Sequence, residues 1–130
     1  MILTYVEHLV LLKTRRAFHE DEVAKMQHLD SLPGVVFLAQ GENFTARSLG
    51  YNYAISVRFT SKEAEASYQS LPLHVKIRDE IIKPNLDTDQ TSPILVMDIE
   101  HTKRPRGLSL LALGLTAGFC VGMLVAKKTR

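Results

Sequence analysis

Four segments of the chain show the alternation of apolar and polar residues that is typical of β-strands. The clearest covers residues 51–59, where alternate side chains are apolar on one face and mostly polar on the other. In residues 4–13, His8 shares the apolar face of the predicted strand. The apolar runs at 35–40 and 93–100 predict the remaining two strands.

Between these strands, apolar residues recur at helical spacing in two regions. The first predicted helix opens at His19–Glu22, whose acidic residues suit the positive end of a helix, and it ends at Pro33-Gly34. The second opens with the capping-box pattern of residues 60–63. Pro72 is tolerated in a first helical turn, so it starts a further segment that we predict to run to about Ile82, where Lys83-Pro84-Asn85 end it.

The predicted order of elements is β-α-β-β-α-β, which describes a ferredoxin-like α+β domain with helices on one face of an antiparallel sheet. Residues 9–12 and 93–99 are apolar on both faces of their strands. Edge effects in a small domain are one explanation for this pattern. Back-to-back packing of two sheets in a homodimer is the other, and it is favoured because a large exposed apolar face usually marks an interface.

Residues 107–126, GLSLLALGLTAGFCVGMLVA, form a long run without a charged side chain. A helix of this length spans about 30 Å, which matches the hydrocarbon core of a bilayer. Because the run lies close to the end of the sequence, we expect one C-terminal transmembrane helix that inserts after synthesis as a tail anchor. The predicted organisation is a domain at 1–101, a basic linker at 102–106, this helix, and a basic tail at 127–130.

Small residues recur at every fourth position of the predicted membrane helix, where they would share one face: Gly114, Gly118, Gly122 and Ala126. This spacing lets helix backbones approach closely, so it predicts self-association or docking on a partner helix. Burial of the apolar segment in a partner complex, without insertion into lipid, is the alternative.

Basic residues flank the apolar segment on both sides, so the positive-inside rule does not select an orientation. A folded domain is hard to translocate after synthesis, and we therefore expect the N-terminal domain to face the cytosol. Tail anchors of this kind resemble those of mitochondrial, peroxisomal or plastid outer membranes. A bacterial inner membrane is the alternative location.

Charge and composition exclude several classes of function. Residues 1–106 contain 13 basic and 14 acidic residues, which gives no basic surface for nucleic acid. The only cysteine, Cys120, lies in the apolar segment, so no intramolecular disulfide can form. Gly41 and Gly50 are isolated turn glycines and form no phosphate-binding loop. We predict no cofactor and no metal site, because the five histidines lack ligand spacing: His8, His19, His28, His74 and His101.

Five segments, in order over residues 4–100, resemble those of the stress-responsive dimeric α/β-barrel (Dabb) domain family. They are V-E-H-L-V-L-L-K, L-P-G-V, G-Y-N-Y-A-I-S-V-R-F-T-S, Y-Q-S-L-P-L-H-V and I-L-V-M-D-I. The resemblance implies a homodimer whose two sheets close into a barrel-like core. It also implies that each subunit has a small cleft between its sheet and its helices, which would accommodate a small apolar ligand.

One plant branch of that family catalyses an aldol-type cyclisation of a linear polyketide with a Tyr and a His. The resemblance places these catalytic residues at Tyr68 and His74, and it places a first-strand histidine of the cleft at His8. The chemistry is reasonable, since a His can remove a proton α to a carbonyl and a Tyr hydroxyl can stabilise the enolate. The family often has a second His before the Pro, where this chain has Leu71. A buried carboxylate in the fourth strand and an ordinary edge position are the two alternatives for Asp98, and the edge position is favoured.

The sequence therefore predicts a membrane-anchored homodimeric α/β-barrel protein that binds a small ligand or acts as a stress-associated module. Two alternatives belong to other classes of function. One is a polyketide-cyclase-like enzyme that uses Tyr68 and His74. The other is an accessory subunit whose helix docks into a membrane complex.

Overall fold

The computed structural model describes residues 3–103 of the chain, of which Thr4–His101 form one compact unit. Strands within the described range are β1 (Leu3–Leu12), β2 (Val35–Glu42), β3 (Tyr53–Phe59) and β4 (Ile94–Lys103). Its helices are α1 (Glu20–Gln27), α2 (Lys62–Tyr68), α3 (Pro72–Ile77) and α4 (Lys83–Asn85). A 3₁₀ turn (His28–Ser31) extends α1, and a π-helical turn (Arg78–Ile82) joins α3 to α4.

The four strands form one sheet in the order β2-β3-β1-β4. β3 lies between β1 and β2 and is antiparallel to both, with Phe59 opposite Val6 of β1 and Val57 opposite His8. Together with the helices that follow β1 and β3, this arrangement confirms the predicted ferredoxin-like α+β fold. Because β1 is the neighbour of β4, residues from the two ends of the domain lie side by side.

The core lies between one face of the sheet and the helices. The alternation predicted for β3 is confirmed, because Tyr53, Ile55, Val57 and Phe59 are all at most 5 % exposed. Helix residues cover this face, and burial of each large apolar side chain stabilises the fold by about 1.5–3 kcal/mol. The helical contribution comes from Met26, Leu29, Tyr68, Ile77, Ile81 and Ile82.

Two predicted helix boundaries are wrong. The N-cap of α2 is Ser61 and not the residue before it, because the Ser61 hydroxyl accepts a hydrogen bond from the backbone N–H of Ala64 at 3.1 Å. Pro84 does not end the helical region, since the π-helical turn places it in the first turn of α4, where a missing N–H costs little. β4 also continues to Lys103, two residues into the segment predicted as a linker.

The predicted membrane helix at 107–126, its four small residues, most of the linker and the basic tail lie outside the described residues. Within residues 3–103, no helix is both long enough and apolar enough to cross a membrane.

Gly34, in the turn before β2, is a position where we expect a substitution to be costly. Its φ is +82°, and a Cβ at this position would lie 2.5 Å from Cβ of Ala64 in α2. Gly34→Ala should therefore lower the free energy of unfolding by about 2 kcal/mol or more, through backbone strain and overpacking. Urea unfolding followed by circular dichroism measures the loss. Gly41→Ala is the matched control, because no atom lies within 4 Å of its Cβ position; an equal loss in both variants would contradict this explanation.

Candidate acid–base site in the cleft

A cavity of about 430 Å³ lies between the helix-covered face of the sheet and the α2–α3 region. All three residues that the sequence analysis placed in the cleft, His8, Tyr68 and His74, line this cavity. The rest of its wall is largely aliphatic and comes from the strands and from two helical turns: Val10, Leu29, Ile55, Val57, Ile82 and Val96. The cavity therefore combines an apolar interior with titratable side chains.

The break between α2 and α3 brings Tyr68 and His74 together. α2 ends at Tyr68, the chain extends at Leu71, and Pro72 starts α3, which leaves His74 in the first turn of the new helix. The ring centroids of Tyr68 and His74 are 4.4 Å apart. The histidine is held from the other side by the backbone, because its Nδ1 lies 3.0 Å from the carbonyl oxygen of Gln69.

The contact with Gln69 defines the protonation of the His74 ring. A carbonyl oxygen can only accept a hydrogen bond, so Nδ1 carries the proton and the lone pair of the neutral ring is on Nε2. Burial lowers the pKa of His74, and the positive charge of Arg78 and the neighbouring His8 lower it further, against the opposing effect of the Gln69 carbonyl and of Asp79. His74 is therefore a neutral base near pH 7.

Tyr68 is buried at the base of the cavity, with 2 % of its surface exposed. Its ring packs edge-to-face on Phe59, with centroids 4.8 Å apart. Burial raises the pKa of the Tyr68 hydroxyl well above its usual value, so the group stays protonated and acts as a hydrogen-bond donor. The Tyr68 ring lies beside the His74 imidazole, which carries a lone pair on Nε2.

His8 points from β1 into the same cavity and is 6 % exposed. Its Nδ1 lies 2.5 Å from Oδ1 of Asp98 on β4 and 3.7 Å from Oε1 of Glu65 on α2. The favoured prediction for Asp98, an edge position, is confirmed, because Asp98 lies on the edge strand β4 with its side chain 49 % exposed. The contact of its carboxylate with the buried His8 was not predicted from the sequence.

The sequence of this domain matches the model of a known family. The family model described as the stress responsive A/B barrel domain (Dabb) matches residues 6–101. The chain belongs to the Dabb family. Among curated proteins, none matches it.

Solved structures with the Dabb or ferredoxin-like architecture are similar to this chain. A dimeric ferredoxin-like protein of unknown function from Jannaschia sp. is 27 % identical, with a TM-score of 0.60 over 73 % of this chain and 97 % of its own. A Dabb protein from Mesorhizobium loti is 19 % identical, with a TM-score of 0.58 over 78 % and 99 % of the two chains. The hydroxynitrile lyase of Passiflora edulis is 15 % identical, with a TM-score of 0.62 over 78 % and 96 %. The similarity to the Mesorhizobium loti and Passiflora edulis structures shows a shared fold alone.

Sequence reasoning missed two polar residues of this Dabb cleft. Glu65 precedes Tyr68 by three positions on α2, so the i, i+3 rule for helix faces could have placed it on the cavity side. The backbone carbonyl of Gln69 contacts Nδ1 of His74, and a backbone contact of this kind cannot be predicted from the residue type. The group formed by His8, Glu65 and Asp98 also escapes a search by spacing, because 57 and 33 residues separate its members along the chain.

Proposed function

We propose that the Dabb cleft binds a small, mostly apolar molecule that carries a carbonyl group, with the carbonyl directed at Tyr68 and His74. The observation that carries this proposal is that both residues line one apolar cavity in contact with each other. The aliphatic wall accommodates a hydrocarbon chain, and the Tyr68 hydroxyl is a donor for a carbonyl oxygen. Pockets for small ligands commonly combine an apolar lining with a few such polar groups.

Acid–base catalysis on that ligand is the second candidate function, and the protonation state of His74 favours it. Nε2 of His74 can accept the proton from the carbon α to the carbonyl, and the electron pair of that C–H bond moves to form an enolate. The Tyr68 hydroxyl donates a hydrogen bond to the enolate oxygen and so stabilises the developing charge. Return of the proton from His74 to the carbon completes an exchange; alternatively, the enolate carbon attacks a second carbonyl and His74 returns the proton to the alkoxide that forms.

Binding and proton transfer are tested with one probe, 2-heptanone, which has an apolar tail and exchangeable α-protons. Full-length protein in a mild detergent should bind 2-heptanone in a calorimetric titration, with a stoichiometry of one per chain. In D₂O the α-protons should exchange for deuterium faster than in detergent alone, as followed by NMR. Saturable binding without exchange would support the ligand-binding function and contradict the enzyme. No saturable binding would contradict both.

We also propose that the protein is a homodimer formed through the open face of the sheet. This face bears Leu95, Met97 and Phe37, which are 44 %, 55 % and 52 % exposed. Charged groups on the same face are already paired within the subunit, since Arg58 contacts Glu7 at 3.3 Å and lies 4.5 Å from the ring centre of Tyr5. Packing of this face against the same face of a second subunit would therefore leave few buried charges unpaired. The similarity to a dimeric protein from Jannaschia sp. supports a dimer.

The dimer is tested by the mass of the full-length protein in mild detergent. Light scattering should give two chains per particle for the native protein and one for Met97→Asp, because the substitution puts a charge in the apolar interface. Leu49→Asp is the matched control: Leu49 is 88 % exposed but lies in the loop between β2 and β3. A native mass of one chain, or dissociation of both variants alike, would contradict the proposed interface.

Residues 107–126 support the further proposal that this dimer is tethered to a membrane with the Dabb domain in the cytosol. The segment has no charge over the thickness of a bilayer, and the outer membrane of an organelle is the proposed location. The full-length protein should stay with vesicles during an alkaline carbonate wash, whereas release into the supernatant would contradict the tether. A companion protein in the detergent-solubilised particle would instead favour the accessory subunit.

A further inference from the structure

Three donor atoms from three separate elements converge at the polar end of the cavity. They belong to His8 of β1, Glu65 of α2 and Asp98 of β4, and they all lie within 4.8 Å of one another. The imidazole nitrogen Nδ1 of His8 is the centre of the group, at 2.5 Å from Asp98 and 3.7 Å from Glu65. An imidazole and two carboxylates form a ligand set of the kind found in protein sites for first-row divalent metals.

The group carries negative charge that other side chains do not neutralise. Across residues 4–102, no Lys or Arg nitrogen lies within 4.0 Å of a carboxylate oxygen of Glu65 or Asp98. His8 is the sole ionisable partner of both carboxylates in that range, and its side chain is only 8 % exposed. Two carboxylates at one partly buried position attract a cation, because burial strengthens their electrostatic interaction with it.

The surroundings hold two of the three ligands in place. The side-chain amide of Gln69 donates a hydrogen bond to Oε1 of Glu65 at 2.6 Å, which is the kind of contact that orients metal-ligating carboxylates. The His8 ring is held by edge-to-face packing with the rings of Phe59 and Tyr68, at centroid distances of 6.3 and 6.4 Å.

Asp98 is the adjustable member of the group. Ligands that share a tetrahedral metal at bonds of about 2.0–2.2 Å lie roughly 3.3–3.6 Å apart. The Asp98 oxygen would therefore have to move away from His8 by about 1 Å. A half-exposed side chain on an edge strand can make this movement.

We propose that His8, Glu65 and Asp98 bind a divalent transition-metal ion, Zn²⁺ in the first instance. Mg²⁺ and Ca²⁺ fit less well, because they prefer ligand sets made only of oxygen. The ion takes the place of the proton between Nδ1 of His8 and Asp98, and the remaining proton of the neutral ring is then on Nε2. His8, Glu65 and Asp98 all line the cavity, so an ion that they held would be accessible from it. An electrophile at this place would act on the carbonyl ligand, and this last step alone rests on the proposed function.

Zinc binding is tested on full-length protein in mild detergent that has been stripped with a chelator and then titrated with ZnCl₂ alone. We expect one Zn²⁺ per chain by elemental analysis, and an affinity reduced at least about tenfold in Glu65→Gln and in Asp98→Asn. Glu63→Gln and Glu100→Gln are the matched controls, because they remove neighbouring exposed carboxylates of α2 and β4 and should bind Zn²⁺ like the native protein. Far-ultraviolet circular dichroism verifies that each variant is folded.

The absorption of bound Co²⁺ is a second readout, and it would not depend on His8 if this residue had only a structural role. Co²⁺ bound by the group should give visible d–d absorption that His8→Gln removes and Zn²⁺ displaces. Equal Zn²⁺ affinity in the native protein, Glu65→Gln and Asp98→Asn would overturn the proposal, as would a stoichiometry well below one. These measurements use no ketone, so zinc binding can fail while 2-heptanone still binds the stripped protein, and the reverse.

Discussion

His74→Gln should abolish the exchange of 2-heptanone α-protons while leaving the binding of 2-heptanone almost unchanged. Glutamine has similar length and can still donate a hydrogen bond to the Gln69 carbonyl, but it has no basic lone pair corresponding to Nε2. General-base catalysis by one positioned side chain is worth about 10²–10⁴-fold, so we expect the enzymatic exchange rate to fall at least about a hundredfold. NMR in D₂O gives the rate, and calorimetry gives the dissociation constant of the ketone.

The pH dependence of exchange identifies His74 as the base. Burial lowers the pKa of His74 from the ordinary value near 6.5, with contributions from Arg78 and His8, while Asp79 and the Gln69 carbonyl act in the opposite sense. The base is active when it is unprotonated, so the rate should fall to half its maximum only at a pH below 6.5, the ordinary histidine pKa. A half-maximal rate above pH 7 would point to another group.

His28→Gln is the matched control for this prediction. His28 lies in the 3₁₀ turn after α1, is exposed, and does not line the cavity. Exchange should therefore continue at the native rate in this variant. If His28→Gln and His74→Gln lose exchange equally, or if His74→Gln keeps it, the proposed base is wrong.

The fold could be predicted from the sequence because its signals are local. The alternation in β3 and the breaks at Gly34 and Pro72 define where elements begin and end. The two helix boundaries that were predicted wrongly are positions where tertiary structure determines which residue begins or ends the helix. Either Thr60 or Ser61 could cap α2 by residue type, and only the packed geometry selects Ser61. A π-helical turn before Pro84 has no sequence signature that would have distinguished it from a helix end.

The candidate site could be predicted in part. Tyr68 and His74 came from a resemblance to a family, and their contact follows from the helix break between them. The His8–Asp98 contact could not be predicted in the same way. It depends on the register of β4 beside β1, and the alternation pattern of two strands fixes which face a side chain takes but not which residue stands opposite.

Phe59→Ala should produce the largest loss of stability among these variants, and it should remove ligand binding with it. Phe59 is completely buried, ends β3 between β1 and β2, and supports the ring of Tyr68. Removal of a buried Phe side chain costs about 3–5 kcal/mol through lost transfer free energy and the cavity that remains. Small domains have a total stability of about 5–15 kcal/mol, so this loss is a large share of it.

Urea unfolding of the full-length protein in one detergent, followed by circular dichroism, measures the change in midpoint and slope. Phe44→Ala is the matched control, because Phe44 is 95 % exposed and its truncation should change the free energy of unfolding by less than about 0.5 kcal/mol. Phe59→Leu keeps most of the buried volume and should fall between the two, with Tyr68 still supported. If Phe59→Ala cost as little as Phe44→Ala, the sheet face under Tyr68 would not be the core, and the position of the acid–base pair above it would lose its physical basis.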